Sequence, residues 1–245
     1  MSSYRQAIAQ YNERHAPSPF SPKAVLFDMD GVLYRSMHYH ARAWHETMLR
    51  YGIDMPEQEA FELEGMRGVE IILMKMKAAG RPMSHEQAHA IYEEKGERFA
   101  SYGQVEIMEG VTELMKAVKQ TGMDIGVVTG SGQHTLLDKL EDDFCGLIDR
   151  KFVVTSFDVE RGKPAPDPYL QGLRKVNAQP CEAIVVENAP LGVRSAVAAG
   201  IFTLAVNTGP LPETMLEREG TNLVFSSMPH LRDEWERFTE AISNP

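Results

Sequence analysis

Apolar residues along this chain follow two rhythms, and the change from one to the other divides it. Tyr4, Ile8 and Tyr11 recur at helical spacing, so residues 1–15 are predicted as a helix, ended by the proline-rich stretch APSPFSP. Ala24 to Phe27 is a short, continuously apolar run, the mark of a buried strand. From residue 38 to about 104 no convincing strand follows. HYHARAWHETMLRYG, PEQEAFELE, GVEIILMKMKAAG and SHEQAHAIYEEKGERFASYG read instead as successive helices. Beyond about residue 110, the apolar runs MDIGVVTG, KFVVTS, EAIVVEN and IFTLAVNTG alternate with helical segments. That alternation predicts an α/β fold with a parallel sheet, whose sites lie at the strands' C-terminal ends. The helical block reads as an insertion after the first strand.

Composition narrows the class. The chain has 245 residues, 43% hydrophobic and 24% charged, as in an ordinary soluble protein with a full core. A net charge of −10 argues against a nucleic-acid or anionic-membrane partner. Cys145 and Cys181 are far apart and lack ligand-like spacing, which fits a reduced, cytoplasmic setting. No apolar run reaches membrane length, and the N-terminus has no basic-then-apolar signal pattern. An anionic substrate would therefore need positive charge supplied locally.

Four short motifs carry candidate chemistry. AVLFDMDGVLYRS delivers Asp28 and Asp30 to a strand end, with Gly31 for the turn. Alternate residues of an extended segment project the same way, so both acids are expected in one pocket. One could serve as nucleophile or metal ligand and the other carry a proton. VVTGSGQHT sets Thr129, Gly130 and Ser131 at another strand end, where hydroxyls and free N–H groups suit phosphate oxygens, although Thr-Gly-Ser is also ordinary turn chemistry. ERGKPAPDPYL presents Lys163 on a proline-stiffened loop, and a lone lysine is often simply solvated. VVENAPLGVRSAVAAG ends a strand in Glu187 and Asn188, oxygen donors suited to Mg²⁺, or in Asn188's case to capping a helix.

Taken in order, Asp-x-Asp-Gly-Val, Thr-Gly-Ser, Gly-Lys-Pro and Glu-Asn resemble the motifs of the haloacid dehalogenase-like superfamily, and within it the β-phosphoglucomutase-like phosphatases. The similarity runs from residue 22 onward. It implies a Rossmann-like parallel-sheet core over residues 16–36 and 105–245 and an all-helical cap over 37–104, and it leaves the helix read over 1–15 as an N-terminal extension. It also implies roles. Asp28 would be the nucleophile forming an aspartyl phosphate, and Asp30 would protonate the leaving group and then activate water. Thr129 and Lys163 would hold the phosphoryl oxygens, with Gly130 and Ser131 beside them. Mg²⁺ would bridge Asp28, the Asp30 carbonyl and Asn188, with Glu187 nearby through water. Metal and lysine together would neutralise the charge that repels a carboxylate from phosphate.

Two departures bear on substrate. Many relatives have Glu-Asp where this chain has Glu187-Asn188, one negative charge fewer at the metal. In the cap loop ELEGMRG, the resembling phosphoglucomutases carry basic residues that grip a distal phosphate, whereas this chain has Glu64 and Gly68, with Arg67, displaced by one, a candidate substrate contact. Glu64 is expected to reach the metal or orient water in a small closed site, unless it is a solvated helix-end charge. Some members of the subgroup hydrolyse inorganic pyrophosphate with a cap carboxylate in such a role. His40 matches a hinge histidine that would link cap closure to Asp30, or else stacks in the hinge packing. HEQAH, residues 85–89, matches H-E-x-x-H formally, but it lies in the cap, no third ligand stands out, and Ser84 with Gln87 forms a capping box there. The expected protein is a monomeric, Mg²⁺-dependent phosphohydrolase acting on pyrophosphate or a small phosphate monoester. A hexose phosphomutase and a non-catalytic phosphate-binding scaffold are the rivals.

Overall fold

The computed structural model describes residues 3–132 and 134–243, with only the backbone considered for 134–137; Met1, Ser2, Gln133 of the second motif, Asn244 and Pro245 lie outside the described residues. Six parallel strands form one sheet: β1 (Ala24–Phe27), β2 (Asp124–Val128), β3 (Val153–Val154), β4 (Ala183–Glu187), β5 (Phe202–Val206) and β6 (Leu223–Phe225). Their spatial order is β3-β2-β1-β4-β5-β6. β1 therefore lies at the centre, in register with β2 through Phe27↔Val127 and with β4 through Phe27↔Val186. The chain steps outward in one direction from β1 and in the other from β4, and the crevice at that reversal is where open α/β sheets bind ligands.

Side chains of β1 alternate between two cores. Val25 and Phe27 join a cluster under α1 (Ser3–His15), α6 (Val111–Gln120), α7 (His134–Asp143) and α11 (Met228–Ser243). Ala24 and Leu26 join another under α8 (Asp167–Lys175) and α9 (Pro190–Ala198). With both faces covered, the central strands are entirely buried, which explains their unbroken apolar runs. The short strand β6 was not among the runs anticipated from sequence, because Leu223–Phe225 is too brief to show a pattern. A further short helix, α10 (Glu213–Arg218), precedes it.

Helix α1 belongs to the layer over the sheet. Its Tyr11 hydroxyl donates to the Gly200 carbonyl (2.7 Å), and Tyr11 meets Phe20, which stacks on Phe202 at 4.5 Å between ring centres. Tyr4 donates to Glu234 of α11 at 2.7 Å.

Between β1 and α6 the chain forms α2 (Met37–Arg50), α3 (Glu57–Glu62), α4 (Gly68–Ala78) and α5 (His85–Ser101). These helices enclose a core of their own, in which Trp44 and Met48 pack on Ile71, Ile72, Met76 and Ile91. The expected box caps α5, with Ser84 Oγ accepting from Gln87 N–H (3.2 Å) and Gln87 accepting from Ser84 N–H (2.9 Å). His85, Glu86 and His89 are exposed, and His89 faces Glu93, so HEQAH is a helix surface. The two strands of chain joining this helical unit to the sheet run side by side: Arg35 N–H donates to the Glu106 carbonyl (2.9 Å) and Met108 N–H to the Leu33 carbonyl (2.8 Å). Among the described residues no helix is long and apolar enough to cross a membrane.

Candidate active site

The ends of β1, β2 and β4 bring Asp28, Thr129 and Asn188 to the same sheet edge, and the loop between β3 and α8 returns Lys163 to them. Lys163 is 2% exposed, so its ammonium must find partners in the protein. It finds three acceptors: Asp28 Oδ1 at 2.5 Å, Glu187 Oε1 at 2.6 Å and the Val128 carbonyl at 3.1 Å. The Tyr169 ring lies 4.9 Å away, and the Tyr169 hydroxyl donates to the same Glu187 oxygen at 2.9 Å. The other Glu187 oxygen accepts the N–H groups of Asn188 (2.8 Å) and Ala189 (3.1 Å). Glu187 thus stands behind the lysine, holding it and the following turn in place. Burial works against the charge on Lys163, but Asp28 and Glu187 outweigh it and hold the ammonium above the usual lysine range. Burial pushes the Asp28 carboxyl well up, opposed by Lys163 and reinforced by Glu187 and Asp30.

Asp30 sits in a different environment. Its Oδ1 accepts from Ser36 Oγ (2.6 Å) and faces His40 Nε2 (3.1 Å). The other ring nitrogen, Nδ1, lies 2.5 Å from Lys95 Nζ. The Asp30 carboxylate can only accept, so the Nε2 proton points at it and Nδ1 accepts from Lys95. Burial alone would raise the Asp30 carboxyl, but His40, Ser36 and Lys95 outweigh it and hold Asp30 below the usual range. Burial, then Lys95, lowers His40, and burial lowers Lys95 to about 7. The two acids of the first motif are therefore driven in opposite directions by their surroundings. Besides its contacts with Asp30 and Lys95, His40 stacks on Phe99 at 4.1 Å.

Glu64 comes down from the cap and is 9% exposed. Both of its oxygens accept from Asn188 Nδ2, at 3.0 and 3.1 Å. Burial, followed by the charge of Asp28, raises its carboxyl well above the usual range. Asn188 Oδ1 is buried and has no hydrogen-bond partner, an open acceptor at the rim of the carboxylates. Asn188 packs against Gly31, which has φ +81°, and a Cβ there would lie 2.2 Å from Asn188 Nδ2. Only glycine meets both demands. Among the described residues no three His, Cys, Asp or Glu side chains are gathered as ligands for one metal. A cation here would rest on mixed donors: a carboxylate, an amide oxygen and a main-chain carbonyl.

Asp28, Asp30, His40, Glu64, Thr129, Gly130 and Ser131 all border one cavity of about 60 Å³ between cap and sheet. Thr129 Oγ1 accepts from Ser131 N–H at 3.0 Å, which fixes the hydroxyl over the strand end. Arg67 is elsewhere. Its Nη1 donates to the Glu160 carbonyl (2.7 Å), and it borders an outer cavity of about 290 Å³. Sequence reasoning missed Lys95, Tyr169 and Tyr92. Lys95 had a legible sign, since it falls on the stripe Ala88, Ile91, Lys95, Phe99 that α5 buries. Tyr169 and Tyr92 look like any core aromatic until the fold places them.

Comparison with known proteins places the fold in a family. A solved structure from Bacteroides vulgatus, provisionally named a beta-phosphoglucomutase, is 44% identical and superposes with a TM-score of 0.95 over 98% of each chain. Hexitol phosphatase A of Escherichia coli is 32% identical over 185 residues, 76% of this chain and 83% of that protein. Beta-phosphoglucomutase of Bacillus subtilis is 24% identical over 91% of this chain and all of that one. Residues 22–200, which contain all four motifs and the inserted helices, match the family described as haloacid dehalogenase-like hydrolase, and the chain belongs to that family.

Proposed function

We propose that this protein is a Mg²⁺-dependent phosphohydrolase that works through an aspartyl phosphate and favours inorganic pyrophosphate, with small phosphate monoesters next. The observation that carries the substrate is the Glu64–Asn188 contact, which brings a cap carboxylate down onto a chamber of about 60 Å³. A bisphosphorylated sugar needs cations above the chamber for its second phosphate. The cap offers the Glu64 carboxylate there; its Lys95, which also borders the chamber, is engaged with His40, and Arg67 is turned away to the Glu160 carbonyl.

The donors fit magnesium. Asp28, the Asp30 carbonyl and the open Asn188 Oδ1 would hold it, with Glu64 at hand from the cap; bound there it would supply positive charge to the phosphoryl oxygens. Lys163 fixes the Asp28 carboxylate and offsets its charge, so that Asp28 can approach phosphorus. An Asp28 oxygen forms the new P–O bond as the bond to the leaving phosphate breaks, and Asp30, once protonated, delivers its proton to that leaving oxygen. The Thr129 hydroxyl, held by the Ser131 N–H, and the main-chain N–H of Gly130 support the transferring group, and Lys163 adds its charge through Asp28. Asp30, now ionised and oriented by Ser36 and His40, takes a proton from water, whose oxygen attacks the phosphoaspartate and regenerates Asp28. Lys95 and His40 connect this step to the cap.

A second reading is hydrolysis of a sugar or sugar-alcohol phosphate, favoured by the names of the relatives. Phosphate release from pyrophosphate, hexose phosphates and hexitol phosphates with Mg²⁺ separates the two, with Asp28→Asn as the blank. Preference for pyrophosphate is the expected result. Preference for the sugar phosphates would replace the substrate, and conversion of glucose 1-phosphate without phosphate release would replace hydrolysis by mutase chemistry.

A further inference from the structure

The cap reaches its lowest point where the loop carrying Glu64 and Arg67 meets the core loops of the site. Glu64 touches Asn188, Arg67 touches Glu160, and Gly65 lies between them over Gly130 and Lys163. At Gly130 the approach is backbone to backbone. A Cβ there would lie 2.8 Å from the Gly65 carbonyl oxygen and 3.3 Å from its carbonyl carbon.

The other glycines of this seam behave differently. A Cβ at Gly162 would lie 2.6 Å from Arg67 Cγ, but that is a flexible side chain that can move aside. Gly65 has φ +88°, so a side chain there strains the loop wherever the cap stands. Gly130 has no such φ, so alanine suits the core alone and collides only with the lowered cap.

We propose that Gly130 is a specificity-determining residue: its lack of a side chain sets how far the cap descends and so confines the reaction chamber to small phosphates. The choice of pyrophosphate as the small substrate rests on the function proposed above; the closure geometry does not. A methyl group at 130 must lift the Gly65 carbonyl, because backbone cannot swing aside. Lifting it stretches the Glu64–Asn188 contact beyond hydrogen-bond reach. It also opens the inner chamber toward the outer cavity, with which it shares Gly68, Tyr92 and Gly130. A small substrate then loses its contacts with the cap, whereas a larger leaving group fills the added height and loses less.

The test compares Gly130→Ala with the wild-type chain in Mg²⁺, using pyrophosphate and a hexose phosphate, and adds amide hydrogen exchange over residues 64–68. Alanine keeps the main-chain N–H, so the phosphate donor at 130 is preserved. We expect kcat/KM for pyrophosphate to fall about tenfold or more relative to that for the hexose phosphate. Exchange in 64–68 should rise while the melting temperature is kept. Gly162→Ala should move the substrate ratio much less. Equal loss on both substrates with unchanged exchange would overturn the proposal, as would an unchanged ratio. Should the wild-type chain prefer the hexose phosphate, the pyrophosphate reading fails, while the exchange result still decides the closure argument.

Discussion

Lys95 Nζ and His40 Nδ1 lie 2.5 Å apart, in a place where Lys95 is 2% exposed and His40 is 7% exposed. Lys95 sits on a cap helix and His40 at the start of the cap, with its other ring nitrogen on the core's Asp30. The Asp30 carboxylate in the sheet is thereby linked through His40 to a helix above it.

This pairing costs stability in a pH-dependent way. With Lys95 lowered to about 7 by burial, the folded chain resists protonating a group that the unfolded chain protonates below 10.5. Between these values the unfolded state holds more protons, so stability rises as pH goes from 7 toward 10. The penalty at neutral pH is on the order of 5 kcal/mol, less whatever the hydrogen bond returns. Lys95→Met should be more stable than wild type at pH 7, with a flatter pH dependence in urea unfolding, and slower in catalysis. Equal slopes in the two proteins would refute the assignment.

Lys163 tests the difference between breaking a buried ion pair and removing it. Lys163→Met leaves Asp28 and Glu187 buried without their cation and should cost roughly 3–5 kcal/mol as well as all turnover. Adding Asp28→Asn and Glu187→Gln should recover much of that stability and none of the activity. Thermal unfolding of the single and triple variants measures it.

Asn188→Asp would set a second carboxylate against Glu64, now accepting from Asn188 Nδ2 at 3.0 and 3.1 Å. Like charges at that distance hold the cap off, so KM for pyrophosphate should rise about tenfold. Glu64→Gln in the same chain restores a donor and should reverse part of the loss. A double-mutant cycle with no coupling between the two positions would show that they do not meet during turnover.

Arg67 separates a latch from a ligand. Its hydrogen bond to the Glu160 carbonyl is exposed, so Arg67→Ala should raise KM by only a few-fold, with kcat retained. A loss of a hundredfold or more would place the guanidinium on substrate, as the sequence suggested.

Most of the architecture could be read from the chain because its rhythms are local. Ala24–Phe27 is buried on both faces and so reads as an apolar run, and α2 to α5 show their stripes. Thr129, Lys163, Glu187 and Asn188 were visible because strand ends concentrate chemistry. What stayed hidden depends on distant packing. Nothing near Glu187 in the chain announces that Tyr169 and Lys163 occupy one of its oxygens. The direction of Arg67 depends on where the Glu160 loop stands, and Lys95 passes for a surface lysine until its place in the Ala88–Phe99 stripe is noticed.

The paired linkers below the cap have a mechanical consequence. Two lengths of backbone stitched together from Leu33 to Arg35 and from Glu106 to Met108 make a ribbon, which flexes across its thin dimension and resists twisting. A cap hung on such a ribbon would have one easy direction of travel, a single arc. Its landing point would then be prescribed before any ligand arrives, and an atom-scale fit such as that of Gly65 over Gly130 would be reproducible. Asp30 and Tyr34 are bridged at the root of this ribbon, so a swing of the roof would leave the Asp30 carboxylate where it stands.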